Sequence, residues 1–452
     1  MAATLPLTPG RVRAPGALPL LGHAVSMLKD PFSFLTRLPD HGDLVEIRMG
    51  PFPATVVTSA QLARQVLLDD KTFDKGGPIY DRGREVLGNG VVTCPHQDHR
   101  RLRRLAQPAF TPARHEAYAR VMCEQIARVT GAWTPGKPVD VLEDTMDIAT
   151  RTAVAVLFSG HLSSPALAET LHDFATVMEG IYWRSVTPPP LDRLPTPGKR
   201  RYDRSRARLR ATIDGVIQDY RRTGRDHHDL LSLLLATSGE TLSDRELNDA
   251  AVTFFVAATD TTAITVSWAL HRISLDPETE QALHTEVDAV LAGRPARHDD
   301  LEKLVVTDRI VTETLRLYPP VWILTRKVTR DTLLGGHPLR AGTNLVVSPY
   351  VIQHRADLYP DPERFDPARW EGKRSVRVRK QVQDEIIPFG AGARKCMGDV
   401  FAMTEATLAL ATIASRWRME ATDPAAVHPA LSALLGPRGL ILRALPRTQG
   451  LP

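Results

Sequence analysis

A mainly α-helical fold with a small β portion is what the sequence predicts, on three observations. Apolar residues recur with helical spacing through nine segments after Ser59. Segments of alternating character are few and short. One stretch near the middle is apolar nearly all round.

In chain order, residues 1–24 are a Pro-rich segment. Its apolar run Ala17–Leu21 is interrupted by Pro19 and is too short for a secretory signal. Asp43–Met49 and Ala54–Thr58 alternate around Gly50 and Pro51, which predicts a pair of strands. Helices are expected over 112–130, 143–158, 166–183, 200–223, 228–236, 244–275, 278–292, 305–317 and 399–417. Short strands are expected at Thr325–Leu334, Asn344–Ser348 and Leu440–Leu445.

The segment 244–275 stands apart. Ser243 and Glu246 make a capping-box start, and Asp276-Pro277 is the next breaker. The helix between them would be roughly 45 Å long. Residues 250–270 are apolar nearly all round, which predicts burial. Within them sits Thr259-Asp260-Thr261-Thr262. A carboxylate there costs several kcal/mol unless it is paired or hydrated. Either the hydroxyls bond back to i−4 carbonyls while Asp260 finds an arginine, or the cluster is chemical machinery.

Composition bounds the function. The 452 residues are 43% hydrophobic, 24% charged and 6% aromatic, which excludes wholesale disorder and fibrous chains. No long unbroken apolar run is present, so no membrane anchor is expected. The net charge of +5 reads as a solvated surface unless it is focused on one face. Cys94, Cys123 and Cys396 form no CxxC pair, which argues against a zinc site or a disulfide scaffold and suits a reducing cytoplasm.

Cys396 lies in the run Phe389-Gly-Ala-Gly392-Ala-Arg394-Lys-Cys396-Met-Gly398 and immediately precedes an apolar helix. The helix dipole, Arg394 and Lys395 are expected to lower its pKa. The glycines permit a tight loop whose N–H groups point at the sulfur. Nothing nearby nominates a catalytic base, so a metal ligand fits better than a protease nucleophile.

With these residues in view, the chain resembles the cytochrome P-450 family of haem-thiolate monooxygenases over nearly its whole length. The resemblance implies a single haem-containing domain over 1–452, with the oxygen-binding helix at 244–275 and the haem-ligand loop and helix at 388–417. It implies haem b as cofactor, with Cys396 as the iron ligand. Glu313-Thr-Leu-Arg316 matches the family's ExxR, and Arg369 would join that pair, so all three would be structural. Ala257–Thr262 matches the oxygen-binding motif, with Ala258 where glycine is usual. Asp260 and Thr261 would be the catalytic proton relay: Asp260 passes protons inward, and Thr261 holds a proton-carrying water. His99, Arg103, Arg326 and Arg394 fall where the family places the partners of the haem propionates.

Lys373-Arg374-Ser-Val-Arg377-Val-Arg379-Lys380 carries five positive charges without interleaved aromatics, which argues against nucleic acid. In the family this segment borders the docking face, so with Lys395 it is expected to receive a ferredoxin, itself reduced by a ferredoxin reductase. The pocket is expected to be lined by Tyr80, Leu87, Met178, Tyr182, Phe254, Phe255, Ala258, Val321, Trp322 and Ile323. Ile79, Val86, Val91, Ile181 and Leu435 are further candidates. Such a lining predicts a hydrophobic ligand held by burial. Arg13–His23, His41–Arg48, Thr93–Arg101 and Tyr318–Arg326 look like the bacterial soluble members that oxidise cyclic sesquiterpenes in secondary metabolism. The expected chemistry is hydroxylation by O2, with successive oxidations of one methyl open to it. Polyketides, fatty acids and steroids are the rival substrates. A peroxide-driven enzyme and a non-catalytic haem-binding protein are the rival functions.

Overall fold

Leu44–Met49 and Phe52–Val57 pair antiparallel from Met49 opposite Phe52 to Leu44 opposite Val57, so the expected hairpin forms. Gly50, at φ +60°, supplies the left-handed first position of its two-residue turn. The computed structural model describes residues 12–159, 169–170, 172–173, 176–177, 180, 184, 194–236, 242–372, 386–430 and 432–447. Among these, the hairpin belongs to a six-stranded sheet. Its order is Val12–Arg13, Leu44–Met49, Phe52–Val57, Asn344–Val347, Leu324–Val328, Phe73–Asp74. The single strand expected over Thr325–Leu334 is two. Leu324–Val328 stays in this sheet, and Thr332–Leu334 folds back on His337–Leu339 through Gly335 and Gly336.

Long helices dominate the rest. Those at Pro112–Thr130, Val141–Phe158, Pro197–Thr223, Leu230–Ala236, Pro277–Leu291, Val305–Leu317 and Asp399–Arg416 lie within a few residues of expectation. Most of the 166–183 segment lies outside the described residues. Shorter helices, such as Ala60–Leu68 and Pro78–Leu87, were not foreseen; ten residues show too few turns for the spacing to register.

Asp244–Ile273 is the central helix. Both halves of its capping box form between Ser243 and Glu246. It packs against Val141–Phe158, Asp399–Arg416 and Pro197–Thr223. Its apolar stretch is the one that approaches the length and composition of a membrane span. This one helix among the described residues is long and apolar enough, but 72% of that window is buried inside the protein.

Two polar networks fix this frame. Glu313 and Arg316 are fully buried and pair at 2.8 and 2.9 Å. Arg316 also donates to the carbonyls of Gln353, Pro362 and Arg364. Glu313 accepts from the Trp370 indole, from the Asp366 amide and, at 3.5 Å, from Arg369. A buried pair holds only when its remaining valences are filled in this way. In the second network, buried Asp249 of the central helix accepts from the Asn89 amide and from Arg210 of Pro197–Thr223, both at 2.8 Å. Arg210 also reaches the Val86 carbonyl at 2.7 Å. The turn at residues 88–90 sits hard on the central helix: a Cβ at Gly90 would stand 2.0 Å from the Thr253 hydroxyl.

Candidate active site

The loop 386–398 delivers Cys396 to the start of Asp399–Arg416. Gly392 turns it, with φ +68° and room for no side chain: a Cβ would lie 2.6 Å from the Leu67 carbonyl oxygen. The Cys396 amide donates to Phe389 O at 2.9 Å, and the Gly398 N–H points at the sulfur. The sulfur faces a cavity of about 350 Å³. The expected lowering of its pKa is overturned. Burial, then Asp399, push the thiol up. The two cations are engaged elsewhere: Lys395 pairs with Asp399, and Arg394 turns to Asp70 at 3.1 Å and Asp74 at 2.9 Å. A metal cation on the sulfur would favour the thiolate.

The central helix forms the facing wall with Phe254, Val256, Ala257, Ala258, Thr261 and Thr262. The hydroxyls do bond back along the helix: Thr261 to Ala257 O at 2.9 Å and Thr259 to Phe255 O at 3.2 Å. Asp260 does not find an arginine. It forms no ion pair among the described residues, and burial alone pushes its pKa up to about 7. It is buried beside the wall rather than part of it, while Thr261 faces the cavity.

One end of the cavity is cationic. His99, Arg103, Arg326 and Arg394 line it together with Lys75, and no Asp or Glu lines it among the described residues. Arg103 donates to the carbonyls of Ala393 and Lys395. His99 is neutral, its pKa driven to about 3 by burial and by the surrounding cations. Buried Arg326 has a donor, Nε, without a hydrogen-bond partner. An orphaned guanidinium N–H in an acid-free pocket fits the carboxylates of a cofactor, as the cysteine at the other side fits its metal.

The structure brings Tyr80, Leu87, Val91, Phe254, Ala258 and Val321 to the cavity wall. Others among the expected lining residues are corrected. Phe255 points about a quarter-turn away from Phe254 and is buried in the core. Trp322 and Ile323 face the opposite side, where Trp322 lies 5.2 Å from the Phe32 ring and donates to Ser432 O. From that segment Pro320, Val321, Leu324 and Arg326 turn inward. Ile79 is exposed, Val86 is core, and Leu434 rather than Leu435 reaches the cavity. Met178, Ile181, Tyr182 and the basic run 373–380 lie outside the described residues.

Sequence reasoning missed Lys75, an isolated lysine in a connecting segment with no pattern around it. It also missed Glu405, one carboxyl within an apolar helix. Glu405 is 1% exposed, and neither carboxyl oxygen has a hydrogen-bond partner; the hydroxyls of Thr152 and Thr262 are its polar neighbours. Burial pushes its pKa up to about 8.

A mainly helical frame that presents a loop cysteine and a helix threonine to one cavity, with a buried acid beside its wall and cations at one end, is the arrangement of a haem-thiolate oxygenase. The chain belongs to the cytochrome P450 family, whose model matches residues 12–443. It is therefore a haem-iron monooxygenase that uses O2, an organic substrate and electrons from a redox partner. Among curated proteins it is 44% identical over 441 residues to pentalenene oxygenase of Streptomyces avermitilis, covering 97% of this chain and 98% of that one. It is 43% identical to cyclooctat-9-en-7-ol 5-monooxygenase of Streptomyces melanosporofaciens, over 90% of this chain and 89% of that one. Cyclooctatin synthase of the same organism is 42% identical over 95% of this chain and 94% of that one.

Proposed function

We propose that this protein hydroxylates a cyclic terpene hydrocarbon, using haem b held by Cys396 and by His99, Arg103, Arg326 and Arg394. The observation that carries the reading is the single cavity shared by the Cys396 sulfur, an apolar wall and Thr261. When bound, haem with a thiolate ligand activates O2 and inserts one oxygen atom into a C–H bond. The chain's own residues do the rest. Leu87, Val91, Phe254, Ala258, Val321 and Leu434 exclude water and hold an apolar substrate by burial. Asp260, with a pKa near 7, takes and gives a proton at working pH, and the Thr261 hydroxyl passes it to the cavity. Glu313, Arg316 and Arg369 keep the frame behind the cysteine loop. The names of the relatives, two of which refer to cyclooctatin chemistry and one to pentalenene, support a terpene over a fatty acid, steroid or polyketide.

Electrons come from a ferredoxin in this reading, and the enzyme works unanchored in the cytoplasm. An open cleft beside Gly392 and Ala393 is lined by Arg100, Arg103 and Arg104 and by Asp70, whose carboxylate is paired with Arg394; Arg100 and Arg104 are exposed one turn apart. This basic face suits an acidic protein. The test is optical and chemical. Reduced protein under carbon monoxide gives the red-shifted Soret band of thiolate-ligated haem, cyclic sesquiterpenes shift the ferric spectrum, and ferredoxin-driven turnover yields a terpene alcohol. Spectral shifts with fatty acids or steroids and none with terpenes would overturn the substrate.

A further inference from the structure

The cationic end of the cavity holds more positive charge than the expected anchors account for. Lys75, Arg103, Arg326, Arg394 and Lys395 line the cavity, and three carboxylates answer them: Asp70 and Asp74 on Arg394, and Asp399 on Lys395. His99 is neutral. Five cations against three carboxylates leave two positive charges over; without Lys75 there would be one. Burying such an excess is costly unless an anion arrives with the ligand. Haem b brings two carboxylates, and the inference rests on that reading of the cofactor.

Lys75 is built for the task. Arg84 holds its carbonyl at 3.2 Å, and Thr325 holds the next carbonyl, that of Gly76, at 2.7 Å. The ammonium therefore starts from a fixed backbone. It donates one proton to Val92 O at 2.7 Å and lies 5.5 Å from the centre of the Tyr80 ring. An ammonium has three protons to place. Burial presses its pKa below the ordinary value, with Arg326 and Arg394 adding to that. Burial alone would raise the Tyr80 phenol, yet Lys75 and Arg326 beside it hold it below the ordinary value. Tyr80 thus has a cationic rather than an apolar neighbourhood.

We propose that Lys75 and Tyr80 belong to the haem-carboxylate site: Lys75 supplies the second uncompensated charge, and the Tyr80 hydroxyl donates to a propionate instead of contacting substrate. Tyr80 lies in the first turn of the helix Pro78–Leu87, whose last residue lines the substrate wall. Cofactor retention and the placement of that helix are therefore joined.

The experiment follows haem transfer from purified holoprotein to excess apomyoglobin at neutral pH. Lys75→Gln is expected to lose haem about tenfold faster than wild type, the loss of one charge-assisted hydrogen bond. Tyr80→Phe is expected to lose it about threefold faster, also from one missing hydrogen bond. Lys75→Arg restores retention, and Lys71→Gln, which removes an exposed charge nearby, leaves it unchanged. The haem reduction potential falls in Lys75→Gln, because a positive charge that favoured the ferrous form is gone. Unchanged haem loss and potential in Lys75→Gln, or unchanged loss in Tyr80→Phe, overturns the proposal. If Lys75→Gln yields too little holoprotein, Lys75→Arg and Tyr80→Phe decide it. Wild-type protein that takes up no haem would instead refute the cofactor reading.

Discussion

Asp260 and Thr261 are neighbours in sequence with different surroundings. The carboxyl is buried beside the cavity and the hydroxyl faces it. A pKa near 7 suits Asp260 to the proposed relay, where a normal aspartate would stay ionised. Asp260→Asn should lower ferredoxin-driven turnover about a hundredfold, while the substrate-induced spectral shift stays as in wild type. Wild-type turnover should fall as pH rises past about 7 and the relay loses its proton. Glu405 makes a second, stability-linked case. Its pKa rises from 4.5 to about 8 on folding, so the folded state binds the extra proton. Its stabilising share is complete below the unfolded value and disappears as pH climbs through about 8. Glu405→Gln, which stays neutral, should flatten that slope in urea melts recorded from pH 5 to 9; an unchanged slope would show that the acid ionises freely.

At the scale of elements, the cysteine loop and the central helix were the most legible parts. Each is specified locally. The loop needs glycine at Gly392 because a carbonyl from another helix occupies the space of a side chain. Gly392→Ala should therefore displace the loop and weaken or blue-shift the ferrous-carbonyl band, with far-ultraviolet circular dichroism largely retained. The capping box at Ser243 and the breaker at Pro277 fixed the helix ends within a few residues. The substrate wall was less legible, because membership depends on which way a side chain turns. Val321 faces in and Trp322 out, and Phe254 faces in and Phe255 out, although both pairs are equally apolar. The charged pair Glu313–Arg316 could be read from its spacing, but its full burial came only from the segments 353–370 that close over it.

At the scale of the whole molecule, the sequence carried the fold class through periodicity, and tertiary contacts decided the electrostatics. The thiol of Cys396 shows the difference: the cations beside it in sequence are neutralised in space by Asp70, Asp74 and Asp399. The network around Asp249 works over a similar distance, joining the turn at 88–90, the central helix and Pro197–Thr223. Arg210→Met should leave haem spectra unchanged and speed both binding and release of an apolar ligand by about tenfold, as read by stopped-flow absorbance. That carboxylate behaves as a latch with two keepers. Leu87 and Val91 stand at the cavity wall on either side of the 88–90 turn, so a displacement of Asp249 would be felt at that wall and, through Arg210, along the 27-residue helix Pro197–Thr223. One carboxylate thus ties the chamber's wall to its outer helix.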